Sequence, residues 1–116
     1  MEMFVKTVNG KNFTFVCDGW SNSRAWGHLV VLLDGSGREV SRCKIRYYNR
    51  TWESWRFQSA CRGAVDSLIE NRRREAVREY KDRTGAKRLT ENKKNAIFAA
   101  CPDLVTLGAL RDSLRN

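Results

Sequence analysis

The hydrophobic pattern of the first fifty residues has the two-residue period of β-strands. Phe13, Phe15 and Cys17 alternate with polar or less bulky neighbours, as the side chains of a half-buried strand do. The phase of a later strand slips between Val40 and Cys43, which predicts a β-bulge there. The predicted strands lie within 3–8, 13–18, 26–34 and 38–48. They form an antiparallel meander of three or four strands.

After residue 50 the period changes to that of an α-helix. Apolar residues recur at intervals of three and four, Thr51 can cap a helix, and Gly85 is a suitable stop. The second half of this helix is mostly charged, so we expect it to extend past the sheet, either solvated or packed on another subunit. Another short helix follows Thr90, and leucines at helical spacing follow Pro102.

These elements together predict an α+β fold. The antiparallel sheet occupies residues 1–50, one long helix occupies 51–84, and one or two short helices occupy 85–116. The chain has 116 residues, 41% of them hydrophobic, which suits a single domain with one core. No internal repeat or linker divides it, so residues 1–116 are expected to be one unit.

The charge and the cysteines narrow the functional classes. The net charge is +9, from 22 Lys and Arg against 13 Asp and Glu, and it predicts attraction to phosphates on nucleotides, nucleic acid or an anionic membrane. The four cysteines form no C-x-x-C motif, and no apolar run is long enough to span a bilayer. We expect a cytoplasmic protein that makes no use of a membrane, with its cysteines reduced and in the core.

The residues needed for catalysis are hard to assemble from this sequence. His28 is the only histidine and lies beside an apolar strand, where a structural role is more common than a catalytic one. The acidic residues are scattered among basic ones, and no phosphate-binding loop is present. The sequence therefore predicts a binding protein and not an enzyme, with no cofactor and no metal.

The first candidate binding cluster is the segment 44–57, which interleaves cations with aromatic residues. Aromatic rings stack on bases, and arginines such as Arg50 and Arg56 clamp phosphates. The alternative is a strand–helix junction whose aromatic residues form core. The polar loop 20–24, with one aromatic residue, Trp20, and one cation, Arg24, is a candidate for an additional contact.

Two further clusters lie in the C-terminal third. The segment 90–95 combines a predicted helix N-terminus, where main-chain N–H groups can hold phosphate, with the charge of Lys93; the alternative is a solvated helix start. Arg111 and Asp112 offer a phosphate donor beside an acceptor for ribose hydroxyls, although such pairs are also common on helix surfaces.

The order of these motifs resembles that of a known family. A small sheet leads to Tyr48-Asn49-Arg50-Thr51-Trp52-Glu53, a long charged helix, an Asn-Lys-rich turn and Ala109-Leu110-Arg111-Asp112. This layout is similar to that of the phage-encoded anti-Thoeris sponge proteins, Thoeris anti-defence type one. The resemblance implies a protein that acts in an infected bacterial host and sequesters, without cleaving it, a cyclic ADP-ribose isomer made by TIR-domain proteins.

The resemblance also implies an assembly and a set of ligand residues. Members assemble as dimers through the sheet and long helices, and some form hexamers that take up cyclic oligonucleotides at separate sites. Carried over by motif, Arg111 and Asp112 would face the ligand and Asn92 would lie near its ribose or phosphate. Tyr80 would stack on adenine. Arg56 or Arg50 would complete the phosphate clamp, and Arg24 would belong to the second site.

The same features also fit other functional classes. A sheet followed by a helix with a basic surface is similar to double-stranded RNA binders and β-sheet DNA readers, which makes a nucleic-acid-binding module the main alternative. Its binding would weaken steeply with salt. A protein inhibitor of a bacterial nuclease is a third hypothesis, and a small regulatory enzyme comes last.

Overall fold

A computed structural model of the chain describes residues 2–47 and 55–114. Four antiparallel strands in the order β1-β2-β3-β4 precede three helices, which confirms the predicted α+β class. The strands are β1 (Glu2–Val8), β2 (Lys11–Ser21), β3 (Trp26–Leu33) and β4 (Glu39–Tyr47). The helices are α1 (Trp55–Thr84), α2 (Glu91–Ala99) and α3 (Pro102–Ser113). The predicted cap of the long helix, Thr51, lies outside the described residues.

The two-residue period of β2 and β3 separates a buried face of the sheet from an open one. Phe15 is paired with Leu32 and Cys17 with Val30, and all four side chains are almost completely buried. Phe4 of β1 lies on the same face, and its ring stacks on Phe15 with 4.9 Å between centroids. Because successive strand residues point to opposite faces, this alternation alone directs one side of the sheet into the core.

The bulge predicted in the last strand is present at Val40. Leu32 is paired with Ser41 and Leu33 with Glu39, so Val40 has no opposite residue in the ladder. The extra residue changes the phase of the strand, and both Val40 and Cys43 pack against the core.

Helix α1 covers the buried face of β3 and β4 with small residues. Ala60, Cys61, Ala64 and Val65 are buried, and the Sγ atoms of Cys61 and Cys17 are 3.8 Å apart. The contact with Cys17 and burial among apolar side chains both raise the pKa of the Cys61 thiol. These two cysteines are core residues, as predicted.

The length of α1 carries it past the sheet. Its 30 residues span about 45 Å, close to the 52 Å long axis of the molecule. It ends as predicted at Gly85, whose N–H donates to the Lys81 carbonyl and whose positive φ of 73° turns the following chain out of the helix.

Helix α3 packs beside α1 and completes the core over the same face of the sheet. Pro102 occupies its first turn, where the missing N–H costs nothing. Cations neutralise its last turn, because Lys6 donates to the Ser113 carbonyl and Arg62 to the Leu114 carbonyl. The predicted leucine stripe is confirmed; its buried members are Leu104, Leu107, Leu110 and Leu114.

No described helix covers the outer face of the sheet. Met3 and Val5 of β1 are 63% and 58% exposed on it. At its other edge Lys44 lies 4.4 Å from the centroid of the Trp20 ring. Gly27 permits this arrangement, because a Cβ there would collide with the Ile45 carbonyl and with Trp20.

Candidate functional site

Tyr80 is the centre of a cleft between α1 and α2. The Lys93 ammonium lies 5.0 Å from the centroid of its ring, and the Arg83 guanidinium lies 5.6 Å away. Both cations lie over the ring, so a planar base stacks on Tyr80 only when a cation leaves the ring face. A negatively charged nucleotide can cause that exchange, because its phosphate attracts the same cations. The structure therefore brings together two of the predicted site residues, Tyr80 and Lys93.

The start of α2 holds Lys93 in this position. Thr90 caps the helix, and its hydroxyl accepts a hydrogen bond from the Lys93 N–H at 3.2 Å. Glu91 lies in the first turn, where a carboxylate complements the helix dipole. The chain turns from α1 into α2 after Gly85, so the last turn of one helix and the first turn of the next lie side by side.

Small side chains leave room beside the tyrosine. The cleft has a volume of about 310 Å³, at the lower end of the range for small-molecule pockets. Alanines at positions 76, 96 and 100 form much of its wall, and larger residues there would close it. Its complete lining is Ala76, Glu79, Tyr80, Arg83, Lys93, Ala96, Ile97, Ala100 and Cys101.

Asn92 lies one residue before Lys93 but does not line the cleft. It is exposed in the first turn of α2. Neighbouring residues differ by about 100° around a helix, so Lys93 reaches the Tyr80 ring while Asn92 points to a different side of α2.

Arg111 and Asp112 lie far from Tyr80 within one chain. The Arg111 Nε donates to the Asp66 carboxylate of α1 at 2.7 Å. Asp66 and Tyr80 are 14 residues apart in the same helix, a separation of about 21 Å along the axis. A single compact cyclic nucleotide cannot contact both ends in one copy of the chain.

The remaining predicted residues are on other surfaces or outside the described part. Arg24 is exposed in the turn between β2 and β3, where the Asn22 carboxamide accepts hydrogen bonds from the backbone N–H groups of Arg24 and Ala25. Arg50 and the Arg56 side chain lie outside the described residues. Of the cations in the segment 44–57, Lys44 and Arg46 lie over Trp20.

Sequence reasoning missed several residues of the cleft. Arg83 follows Tyr80 by three residues, and that spacing places both on one helix face, so the signal was available. Ala76, Ala96 and Cys101 could not be found in this way, because helical periodicity does not show which faces of α1 and α2 meet.

Two classes of feature are absent from the residues that the structure describes. Within 2–47 and 55–114, no three His, Cys, Asp or Glu side chains are grouped as metal ligands. The helices of the same residues include none with the length and apolarity needed to cross a bilayer.

Comparison with known proteins finds no matching family model, no matching curated protein and no matching solved structure, so the likeness to the anti-Thoeris sponges is carried by the sequence motifs alone.

Proposed function

We propose that this protein binds and sequesters a cyclic ADP-ribose-type signalling nucleotide without cleaving it, and that it thereby blocks a TIR-based antiphage defence. The observation that carries the proposal is the Tyr80 ring flanked by Lys93 and Arg83 in a cleft between two helices. The ring stacks on adenine, and the two cations meet the pyrophosphate. Sequestration needs affinity alone, so the function requires no general acid or base.

The proposed site is completed by a second copy of the chain. Arg111 of α3 is held at Asp66, which lies about 21 Å from Tyr80 along α1, and Asp112 is its neighbour, so the pair joins the same ligand only if a partner subunit contributes it. The Arg111–Asp66 pair is exposed by roughly a third to a half, and such pairs contribute about 0–1 kcal/mol. A ligand phosphate can therefore replace Asp66 at little cost. Arg24 belongs to a separate site for cyclic oligonucleotides in a larger assembly.

Mass spectrometry of released nucleotides tests the proposal. The purified protein is incubated with a cyclic ADP-ribose isomer made by a TIR-domain enzyme, desalted and denatured. We expect the unmodified nucleotide to be released from the wild type and from Arg38→Ala, a control at an exposed turn residue. Tyr80→Ala and Arg111→Ala are expected to retain none. A wild type that retains no nucleotide, or releases a cleaved one, would contradict sequestration.

Mixing the two inactive variants tests whether the site is shared. In a two-fold dimer of one Tyr80→Ala chain and one Arg111→Ala chain, one of the two sites has both residues intact. Co-refolding equal amounts should therefore restore about a quarter of the wild-type capacity, since half of the dimers are mixed. No recovery would place the whole ligand within one chain and exclude the shared site.

A further inference from the structure

A second groove lies on the other side of the α1–α2 contact. It has a volume of about 390 Å³, and Phe98 and Val77, both half-buried, lie at its base. Its rim is strongly basic. The charged residues that line it are Glu70, Arg73, Arg74, Arg78, Lys81 and Lys94.

Most of the positive charge in this groove is uncompensated. Arg74 is paired with Glu70 at 2.7 Å. In the described part of the chain, Arg78, Lys81 and Lys94 form no ion pair, and Arg73 lies over the Phe98 ring at 5.2 Å. Five cations against one carboxylate leave a net charge of +4 in one groove. Like charges repel at this density, so the arrangement costs stability unless an anion is bound.

The groove is distinct from the Tyr80 cleft. Lys81 follows Tyr80 in α1, and Lys94 follows Lys93 in α2, and each step of one residue turns the side chain by about 100°. Tyr80 and Lys93 therefore line the cleft, whereas Lys81 and Lys94 line the groove behind it. A ligand in one site does not occupy the other.

The cations are spaced for a linear polyanion. Arg74 and Arg78 are one helical turn apart, about 6 Å along the axis, and Lys81 continues the row toward the end of the helix. That repeat is comparable with the distance between successive phosphates of a nucleic-acid strand. Arginines form two parallel hydrogen bonds to a phosphate, and lysines add point charges.

We propose that the groove formed by Arg73, Arg78, Lys81 and Lys94 binds the phosphate backbone of nucleic acid without regard to sequence. A second copy of the chain is a poor occupant, because two-fold pairing would place the same +4 surface against itself. The helices present the groove on the part of α1 that extends past the sheet, where a long ligand meets no obstruction from the strands. The activity is separate from nucleotide sequestration.

Fluorescence anisotropy with a short labelled DNA duplex of arbitrary sequence tests this proposal. Four phosphate contacts predict a slope of about −3.6 in a plot of log K against log salt, hence roughly 150-fold weaker binding at about 200 mM than at about 50 mM salt. A single strand of the same length should give a slope of about −2.8. Two unrelated duplex sequences should bind equally.

Two triple variants with the same change in charge locate the contact. Replacing Arg78, Lys81 and Lys94 by Gln, which keeps helix propensity, should reduce the magnitude of the duplex slope by about 2.7. The control replaces Lys11, Arg38 and Arg42 by Gln at exposed positions of the sheet and its turns, and should leave the slope unchanged. Circular dichroism confirms that both variants are folded.

Three results would overturn the proposal. The first is a wild type that does not bind the duplex at about 50 mM salt. The second is an equal reduction of the salt slope in both triple variants. The third is binding of poly-glutamate without binding of the duplex, which would assign the groove to an acidic protein. Retention of the cyclic nucleotide by the groove variant is measured in parallel. The two readouts are independent, so a failure of nucleic-acid binding can be distinguished from a failure of nucleotide sequestration.

Discussion

Two glycines inside helices show how far a single residue depends on its tertiary neighbours. A Cβ at Gly63 of α1 would lie 2.8 Å from the Cys43 Sγ of β4. A Cβ at Gly108 of α3 would meet nothing within 4 Å. Both glycines weaken their helices by a similar amount, but only Gly63 allows a close approach between helix and sheet.

Alanine substitutions at these positions should have opposite effects. Gly108→Ala is expected to raise the free energy of unfolding by about 0.5–1 kcal/mol, because alanine is the better helix former. Gly63→Ala should lower it by about 1–2 kcal/mol, because the Cys43 thiol must move. Urea denaturation measures both.

A double-variant cycle tests the cause assigned to Gly63. Adding Cys43→Ala to Gly63→Ala removes the atom that the new methyl group meets. The double variant should therefore be more stable than the sum of the two single changes predicts. Additive effects would show that Cys43 is not the obstacle.

Asp103 should give the protein an acid-sensitive contribution to stability. The hydrogen bond from the Arg72 guanidinium lowers the pKa of this carboxyl below its ordinary value of 3.8. The folded state then holds the proton less tightly than the unfolded state, so the stabilisation is complete above about pH 4 and is lost as pH falls through the folded pKa.

The pH dependence of Asp103→Asn measures this contribution. The variant should be less stable than the wild type at about pH 6, and the difference should shrink as the pH falls below about 4 and through the folded pKa. Asp82→Asn, at an exposed position of α1, is the control for the change in net charge. A stability difference that does not vary with pH would contradict the role of the Arg72 bond.

At the scale of the element, α2 is the least buried of the three helices. None of its residues is buried, and it is held at its start by the Thr90 cap and near its end by Phe98 beneath Arg73. The same helix supplies Lys93 to the Tyr80 cleft and Lys94 to the basic groove. Both proposed sites therefore depend on a helix with little burial of its own.

Removal of the cap should loosen α2 locally. Thr90→Ala is expected to cost about 1 kcal/mol of helix stability and to speed amide hydrogen exchange in 91–99 by roughly five-fold. Thr90→Ser keeps the capping oxygen and should exchange like the wild type. Equal exchange in the wild type and Thr90→Ala would show that packing against α1, and not the cap, holds the helix.

At the scale of the whole molecule, the sheet has one buried face and one open face. The open face carries the exposed apolar side chains of Met3 and Val5, and apolar side chains grouped on one surface are typical of an interaction site. Together with the separation of Arg111 from Tyr80, this favours an assembly in which the sheet meets a second copy. The resemblance to the sponge family points in the same direction.

Light scattering of two matched variants tests that assembly. The wild type should have a mass that is a multiple of 13.4 kDa, and Val5→Lys should reduce it to the single chain because a buried lysine is unfavourable at the interface. Val105→Lys, with 52% exposure on α3, should leave the mass unchanged. A wild type that is already monomeric would remove the shared ligand site.

The architecture was largely predictable because it follows from local patterns. Phe13, Phe15 and Cys17 have the period of a strand, Val40 and Cys43 reveal the bulge by their phase, and Thr90 and Gly85 mark helix ends. Each signal depends on residues close together in the chain.

The candidate site was predictable only in part, because it depends on which faces meet. The motifs singled out Tyr80 and Lys93 separately, and the structure brings them within 5.0 Å. The motifs also grouped Arg111 with Tyr80, but within one chain Arg111 contacts α1 at Asp66, about 21 Å from Tyr80 along that helix. No periodicity indicates how two helices rotate against each other.

The sequence by itself determined the order of the elements, their amphipathic faces and the excess of positive charge, since these follow from residue type and short-range spacing. Only the tertiary structure decided where that charge is concentrated. The turn between α1 and α2 places Lys93 and Arg83 at a tyrosine on one side, and Lys94, Lys81 and Arg78 in a groove on the other. The physical reason is that a helix turns by about 100° per residue, so neighbours in the chain belong to different surfaces once a second helix divides them.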